Sequence, residues 1–131
     1  MKKVALFFAM VFFQTIAFCQ SPFQGEWYWE DDFNSFTLTL EINQSTAKGT
    51  LCSIMQQGNR IDCGDSDESN FIAEVSGNKI VTPFTSYYCN CTGKVEITLI
   101  DAAHLKWKIT EKPKGDYFIP DEVVLVKATP E

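Results

Sequence analysis

Over residues 35–42, Phe36, Leu38, Leu40 and Ile42 alternate with Ser35, Thr37, Thr39 and Glu41. A period of two with one apolar face is the pattern of a half-buried antiparallel strand. Residues 94–99 repeat it, with Val95, Ile97 and Leu99 set against Lys94, Glu96 and Thr98. After the short break Asp101-Ala102-Ala103 the alternation resumes, with Leu105, Trp107 and Ile109 between His104, Lys106, Lys108 and Thr110, which predicts a hairpin. Weaker strands are predicted at 25–29, 49–55, 71–75, 79–85 and 123–127, the last apolar on both faces for most of its length. No stretch keeps a helical period, which leaves room for a turn or two of helix at most, around 120–122. Eight short strands in series with tight links predict an all-β fold, an eight-stranded antiparallel up-and-down barrel that leaves no exposed sheet edge. A two-sheet β-sandwich is the alternative.

The first 19 residues stand apart from this pattern. Lys2 and Lys3 precede an apolar run broken only by Gln14 and Thr15, and Ala17-Phe18-Cys19 has the spacing of a cleavage site, so residues 1–19 read as a secretory signal peptide. Residues 20–131 then form a single domain that begins at Gln20, a residue able to cyclise. A lipoprotein anchored through Cys19 is the minor alternative, for which Phe18 is a poor residue just before the cysteine. No segment approaches the roughly 20 apolar residues of a membrane span, so the mature protein is expected to be secreted or periplasmic and not membrane-spanning. At 45% hydrophobic and 21% charged, the chain is ordinary globular material and not a disordered one.

Gly25-Glu26-Trp27 opens the first strand, Tyr28 and a polar break follow, Ser35-Phe36 starts the second strand, and Gly49-Thr50 enters the third. This resembles the calycin barrels, the lipocalin and avidin-like proteins, whose first strand carries Gly-x-Trp. The resemblance covers the first third of the chain and the strand count, and it implies that Trp27 plugs the closed end of a barrel. Lipocalins set an arginine from a late strand over that tryptophan, where the last strand here offers Lys127. Avidins wall their biotin site with further tryptophans, and beyond Trp27 and Trp29 this chain has only Trp107, so biotin binding is not carried over.

In an up-and-down barrel alternate links share one rim. The odd links here, 30–34, 56–70, 86–93 and 111–122, are the long ones, and long loops on a rigid scaffold are where function usually sits. They hold eleven acidic side chains against three basic ones, a net of −8, while the rest of the mature chain holds six of each sign. Acid and aromatic residues interleave on that rim: Asp31, Asp32, Phe33, Asp65, Asp67, Tyr87, Tyr88, Tyr117 and Phe118. A focused negative field with amphipathic rings suits a cationic partner; the plainer reading is that acidic loops keep an exported protein soluble. The same charge repels phosphate backbones, so no nucleic acid is expected.

Removing the leader leaves four cysteines, Cys52, Cys63, Cys89 and Cys91, an even number for which oxidised pairs are the default in an exported chain. Cys52 and Cys63 lie symmetrically about Gln57-Gly58, so a hairpin turning there would pair them and leave Cys89 with Cys91. Two bridges between links, Cys52–Cys91 and Cys63–Cys89, are the other arrangement. A Cys-x-Cys bridge is readily reduced, but no helix or basic neighbour is placed to activate a thiol there. A zinc site would need a reducing compartment. The run Asp65-Ser66-Asp67-Glu68-Ser69-Asn70 alternates oxygen ligands like a calcium loop but lacks the glycine and glutamate that complete one, leaving opportunistic calcium binding alone. His104, the only histidine, falls on the polar face of a strand and reads as a solvated surface residue. The sequons at Asn43 and Asn90 matter only in a glycosylating host. No catalytic set, metal or cofactor is expected. The sequence therefore predicts an exported, non-enzymatic, monomeric binding protein for a small-molecule ligand or cationic protein. The rival is a protein inhibitor or immunity-type factor of a cationic exported enzyme such as a lysozyme, with a hydrolytic enzyme third.

Overall fold

A computed structural model describes residues 20–64 and 68–129. Nine strands follow in order: β1 (Gly25–Glu30), β2 (Ser35–Asn43), β3 (Thr46–Met55), β4 (Arg60–Cys63), β5 (Phe71–Glu74), β6 (Lys79–Ser86), β7 (Cys91–Asp101), β8 (His104–Glu111) and β9 (Glu122–Lys127). The single helical element among the described residues is a 3-10 turn at Gln56–Gly58, and residues 120–122 lead directly into β9. The sheet runs β4-β3-β2-β1-β9-β8-β7-β6, with every pair antiparallel. β5 also pairs with β3. Because β4 takes the half of β3 from Cys52 to Met55 and β5 the half from Thr46 to Gly49, the two share one position in the wall. The result is a nearly closed eight-stranded up-and-down barrel, as the alternation predicts, and not a sandwich. β4 is the one strand that the pattern misses, since it lies inside the segment expected to be the link 56–70.

The alternation of side chains fills the barrel. Phe36, Leu38 and Leu40 from β2, Ile80 and Phe84 from β6, Val95 and Ile97 from β7, Leu105 and Trp107 from β8 and Leu125 from β9 all point inward and are buried. At the centre the Trp107 indole meets Phe36 and Phe84 edge-on, with ring centroids 5.1 and 5.4 Å away. Such T-shaped contacts set the positive ring edge against the negative face. Gly49 is required where it stands, because it faces Phe71 across the β3–β5 pair and a Cβ there would fall inside the phenyl ring.

One end is stopped by Trp27 and Phe23, both buried, with the Trp27 indole N–H donating to the Phe23 carbonyl at 3.0 Å. Lys127, opposite Trp27 on β9, lays its ammonium 5.3 Å over the indole, where the ring face attracts a cation. The short turns gather at this end.

The wall is open between β5 and β6, and Asn70 stitches it. Its backbone N–H donates to Gly49 O and its carbonyl accepts from Thr85 N–H, at 2.8 and 3.0 Å. Its side chain accepts from the Leu51 N–H and donates to the Thr85 carbonyl, both at 2.8 Å. Asn70 thus replaces the stretch of ladder lost between the end of β4 and the start of β5. Backbone groups buried without such partners would weaken the fold.

Candidate functional site

The four long links converge on the end opposite Trp27. The turn 56–58 is fastened to the first link by Gln57 N–H to Phe33 O at 2.9 Å and Gln56 N–H to Asn34 Oδ1 at 3.0 Å. The third link meets the fifth through Asp62, which is buried on the inner face of β4 and accepts from the Ser86 hydroxyl and, at 3.3 Å, from Tyr88 N–H. The seventh link, 112–121, folds across the mouth: Phe118 O accepts from Ser53 Oγ at 2.5 Å, Pro120 O accepts from the Trp107 indole at 2.9 Å, and Ile119 is buried beneath. The barrel is therefore stopped at this end as well.

The segment also seats on the second disulfide. A Cβ on Gly115 would stand 3.1 Å from Cys89 Cβ and 3.3 Å from Cys91 Sγ. The bridges are Cys52–Cys63, from directly opposed positions of β3 and β4 with Cα atoms 3.9 Å apart, and Cys89–Cys91 at the start of β7. Two disulfides place the protein in an oxidising compartment. Among the described residues no helix is long and apolar enough to cross a membrane. Alkylation of the unreduced protein is expected to label none of Cys52, Cys63, Cys89 and Cys91, read by mass spectrometry. Labelling of Cys89 and Cys91 alone would remove the second bridge.

The expected rim residues do not share one role. Asp31 is a turn former: its carboxylate accepts from Phe33 N–H at 2.9 Å, from Asn34 N–H at 2.8 Å and from the Asn34 side-chain amide at 3.1 Å. The Phe33 amide first, then the Asn34 side chain, hold its pKa below the ordinary carboxylate value. Tyr87 is half-buried, with its hydroxyl donating to Ser69 O at 3.0 Å. Tyr117 donates to Asp121 at 2.5 Å, and desolvation with that carboxylate pushes its pKa up to about 12. Asp32, Phe33 and Tyr88 are exposed, Tyr88 packing edge-on against Phe118 at 4.6 Å. Asp65 and Asp67 lie outside the described residues.

The charge of the rim is also partly spent within the fold. Glu111 pairs with Lys94 at 3.5 Å, Glu122 with Lys106 at 3.0 Å and Asp121 with Lys112 at 3.7 Å. Glu30, Asp32, Glu68 and Asp116 are exposed and make no ion pair among the described residues. The linear count could not show this, because Lys94 and Lys106 belong to strands. His104 stays on the surface, its Nδ1 2.8 Å from Asp101.

Two features of the rim were not singled out from the sequence. Arg60 lies 5.4 Å over the Phe118 ring, continuing the Tyr88–Phe118 contact. A shallow cleft of about 450 Å³ lies between the first link and the β3–β4 turn, lined by Phe33, Asn34, Gln56, Gln57 and Asn59. Amides in a loop carry no distinctive sequence signal; only the cysteine symmetry about Gln57-Gly58 marked the turn. No group of three or more histidine, cysteine, aspartate or glutamate side chains able to hold a metal occurs among the described residues. No protein family, curated protein or solved structure matches the chain.

Proposed function

We propose that this is an exported, secreted or periplasmic protein that works by binding, without catalysis, and that it takes a cationic protein on the long-loop end of its barrel. The observation that carries the reading is the stopping of both ends, by Trp27 and Phe23 on one side and by 118–120 on the other, around a core of packed rings. A barrel filled by its own side chains offers its surface and not its axis. At the long-loop end that surface presents Asp32, Glu68 and Asp116 together with Phe33 and Tyr88. Carboxylates attract a basic partner over distance, and exposed rings give it area to bury. Capping of a cationic exported enzyme such as a lysozyme is the specific form we favour. The calycin resemblance of the first strand belongs to the same reading, supported by the buried Trp27 and by Lys127 standing over it.

The test is binding kinetics on an immobilised cationic lysozyme, with the succinylated, anionic lysozyme as control. Neutralising Asp32 and Asp116 to asparagine, alone and with Asp65 and Asp67, is expected to slow association. Tyr88→Ala is expected mainly to speed dissociation, since charges steer encounter while buried rings hold the complex. Raising salt from 0.1 to 1 M contracts the Debye length from about 10 to about 3 Å and should reproduce the first effect. Asp31, whose carboxylate shapes its own turn, is not a clean probe; Glu26 and Glu41, exposed on β1 and β2, are the matched controls. Equal effects from both sets, or salt-independent binding, would leave the acidic rim a solubility role only.

A further inference from the structure

The cleft beside Phe33 has a chemistry different from the rest of the rim. Its five lining residues, Phe33, Asn34, Gln56, Gln57 and Asn59, include no charged side chain. Asn34 is committed to the fold, accepting from Gln56 N–H and donating to Asp31. The side-chain amides of Gln56, Gln57 and Asn59 make no hydrogen bond to any described residue. Each offers one carbonyl acceptor and two N–H donors. Phe33, which they flank, is 57% exposed.

The backbone under these groups is held in place. Gln56 and Gln57 both have left-handed φ, 55° and 57°, followed by Gly58 at 90°. The same left-handed φ occurs at Gln44 and Asn90 in other turns, so it belongs to the hairpin geometry, which fixes where the two glutamine amides stand. The bonds from Gln57 N–H to Phe33 O and from Gln56 N–H to Asn34 Oδ1 tie the amides and the ring into one unit, with the Cys52–Cys63 bridge closing the hairpin beneath.

We propose that this cleft binds a pyranose unit of a neutral glycan. An uncharged sugar presents an apolar C–H face to the negative face of an aromatic ring and a girdle of hydroxyls that both donate and accept, which is what paired amides satisfy. A cationic ligand would find no carboxylate among the lining groups and an anionic one no lysine or arginine. The cleft is shallow and open, so it would take one face of a sugar ring against Phe33 and not enclose the ligand. The cleft shares Phe33 with the surface proposed to dock a cationic protein, but the sugar chemistry of its amides does not rest on that reading.

The experiment is an NMR titration of the oxidised, isotope-labelled protein with three neutral tetrasaccharides, cellotetraose, maltotetraose and the N-acetylglucosamine tetramer, and with the cationic glucosamine tetramer. At least one neutral tetramer is expected to give saturable shifts in the side-chain amides of Gln56, Gln57 and Asn59. Phe33→Ala should weaken that binding about tenfold, the equivalent of about 1.4 kcal/mol, while Phe33→Trp, which restores a ring face, should recover it. Gln57→Ala should weaken it as well, without altering the shifts of the barrel core. Absence of a saturable shift with all three neutral sugars overturns the proposal, as does binding that Phe33→Ala leaves unchanged. Binding of the glucosamine tetramer alone, with shifts at Asp32 and Asp116, also overturns it, and would leave the reading of the rim as a cation-binding surface standing.

Discussion

Trp27→Ala is expected to lower the stability of the fold by about 3–5 kcal/mol, read from the midpoint of urea unfolding of the oxidised protein. The indole is wholly buried and fills the end of the barrel, so truncation leaves a cavity that the rigid wall cannot collapse. It also strips the Phe23 carbonyl of its donor and Lys127 of the ring beneath its ammonium. Trp27→Phe retains most of the volume and loses the N–H, so it should cost less. A change within about 0.5 kcal/mol for the alanine variant, the scale of a surface substitution, would mean that Trp27 is not part of the core.

Asn70→Ala should be nearly as damaging for a different reason. The side chain is small and its apolar burial slight, but its removal leaves the Leu51 N–H and the Thr85 carbonyl without partners inside the wall. At about 1–3 kcal/mol for each of the two buried polar groups left unpaired, a loss of about 2–6 kcal/mol follows. Asn70→Asp keeps the acceptor for Leu51 and turns the other oxygen toward the Thr85 carbonyl, so it should not rescue. Hydrogen exchange gives the local readout: the Leu51 amide should lose protection in the alanine variant before the centre of β7–β8 does. Unchanged protection there would show that β5 and β6 hold together without Asn70.

The strands that alternate cleanly were legible because their inward faces bury hydrocarbon, as with Phe36, Leu38 and Leu40, or Leu105 and Trp107. β4 inverts the rule: Ile61 points out and is 56% exposed, while Asp62 points in. What stabilises a buried carboxylate there is Ser86 and the Tyr88 amide, more than 20 positions away in the chain, and no local pattern can report that. Asn70 is hidden similarly, at the end of a polar run that reads as a loop. The gathering of the long links at one end was legible from strand count and link length, but the roles of their side chains were not. Asp31, Tyr87 and Tyr117 turned out to be held within the fold, whereas Phe33 opens onto a cleft whose other walls are unremarkable amides.

The described chain enters and leaves at one pole. Gln20, Gln24, Gly25, Lys127, Ala128 and Thr129 line a single surface cleft, and the Ala128 N–H donates to Glu26 O at 2.8 Å. Gln20 and Thr129, the first and last described residues, therefore lie at the pole stopped by Trp27, with the long loops at the far side of the barrel. A tether joined directly at Gln20 or Thr129 would hold the barrel by that pole, leaving Phe33, Asp32 and Tyr88 on the far side with the barrel acting as a spacer.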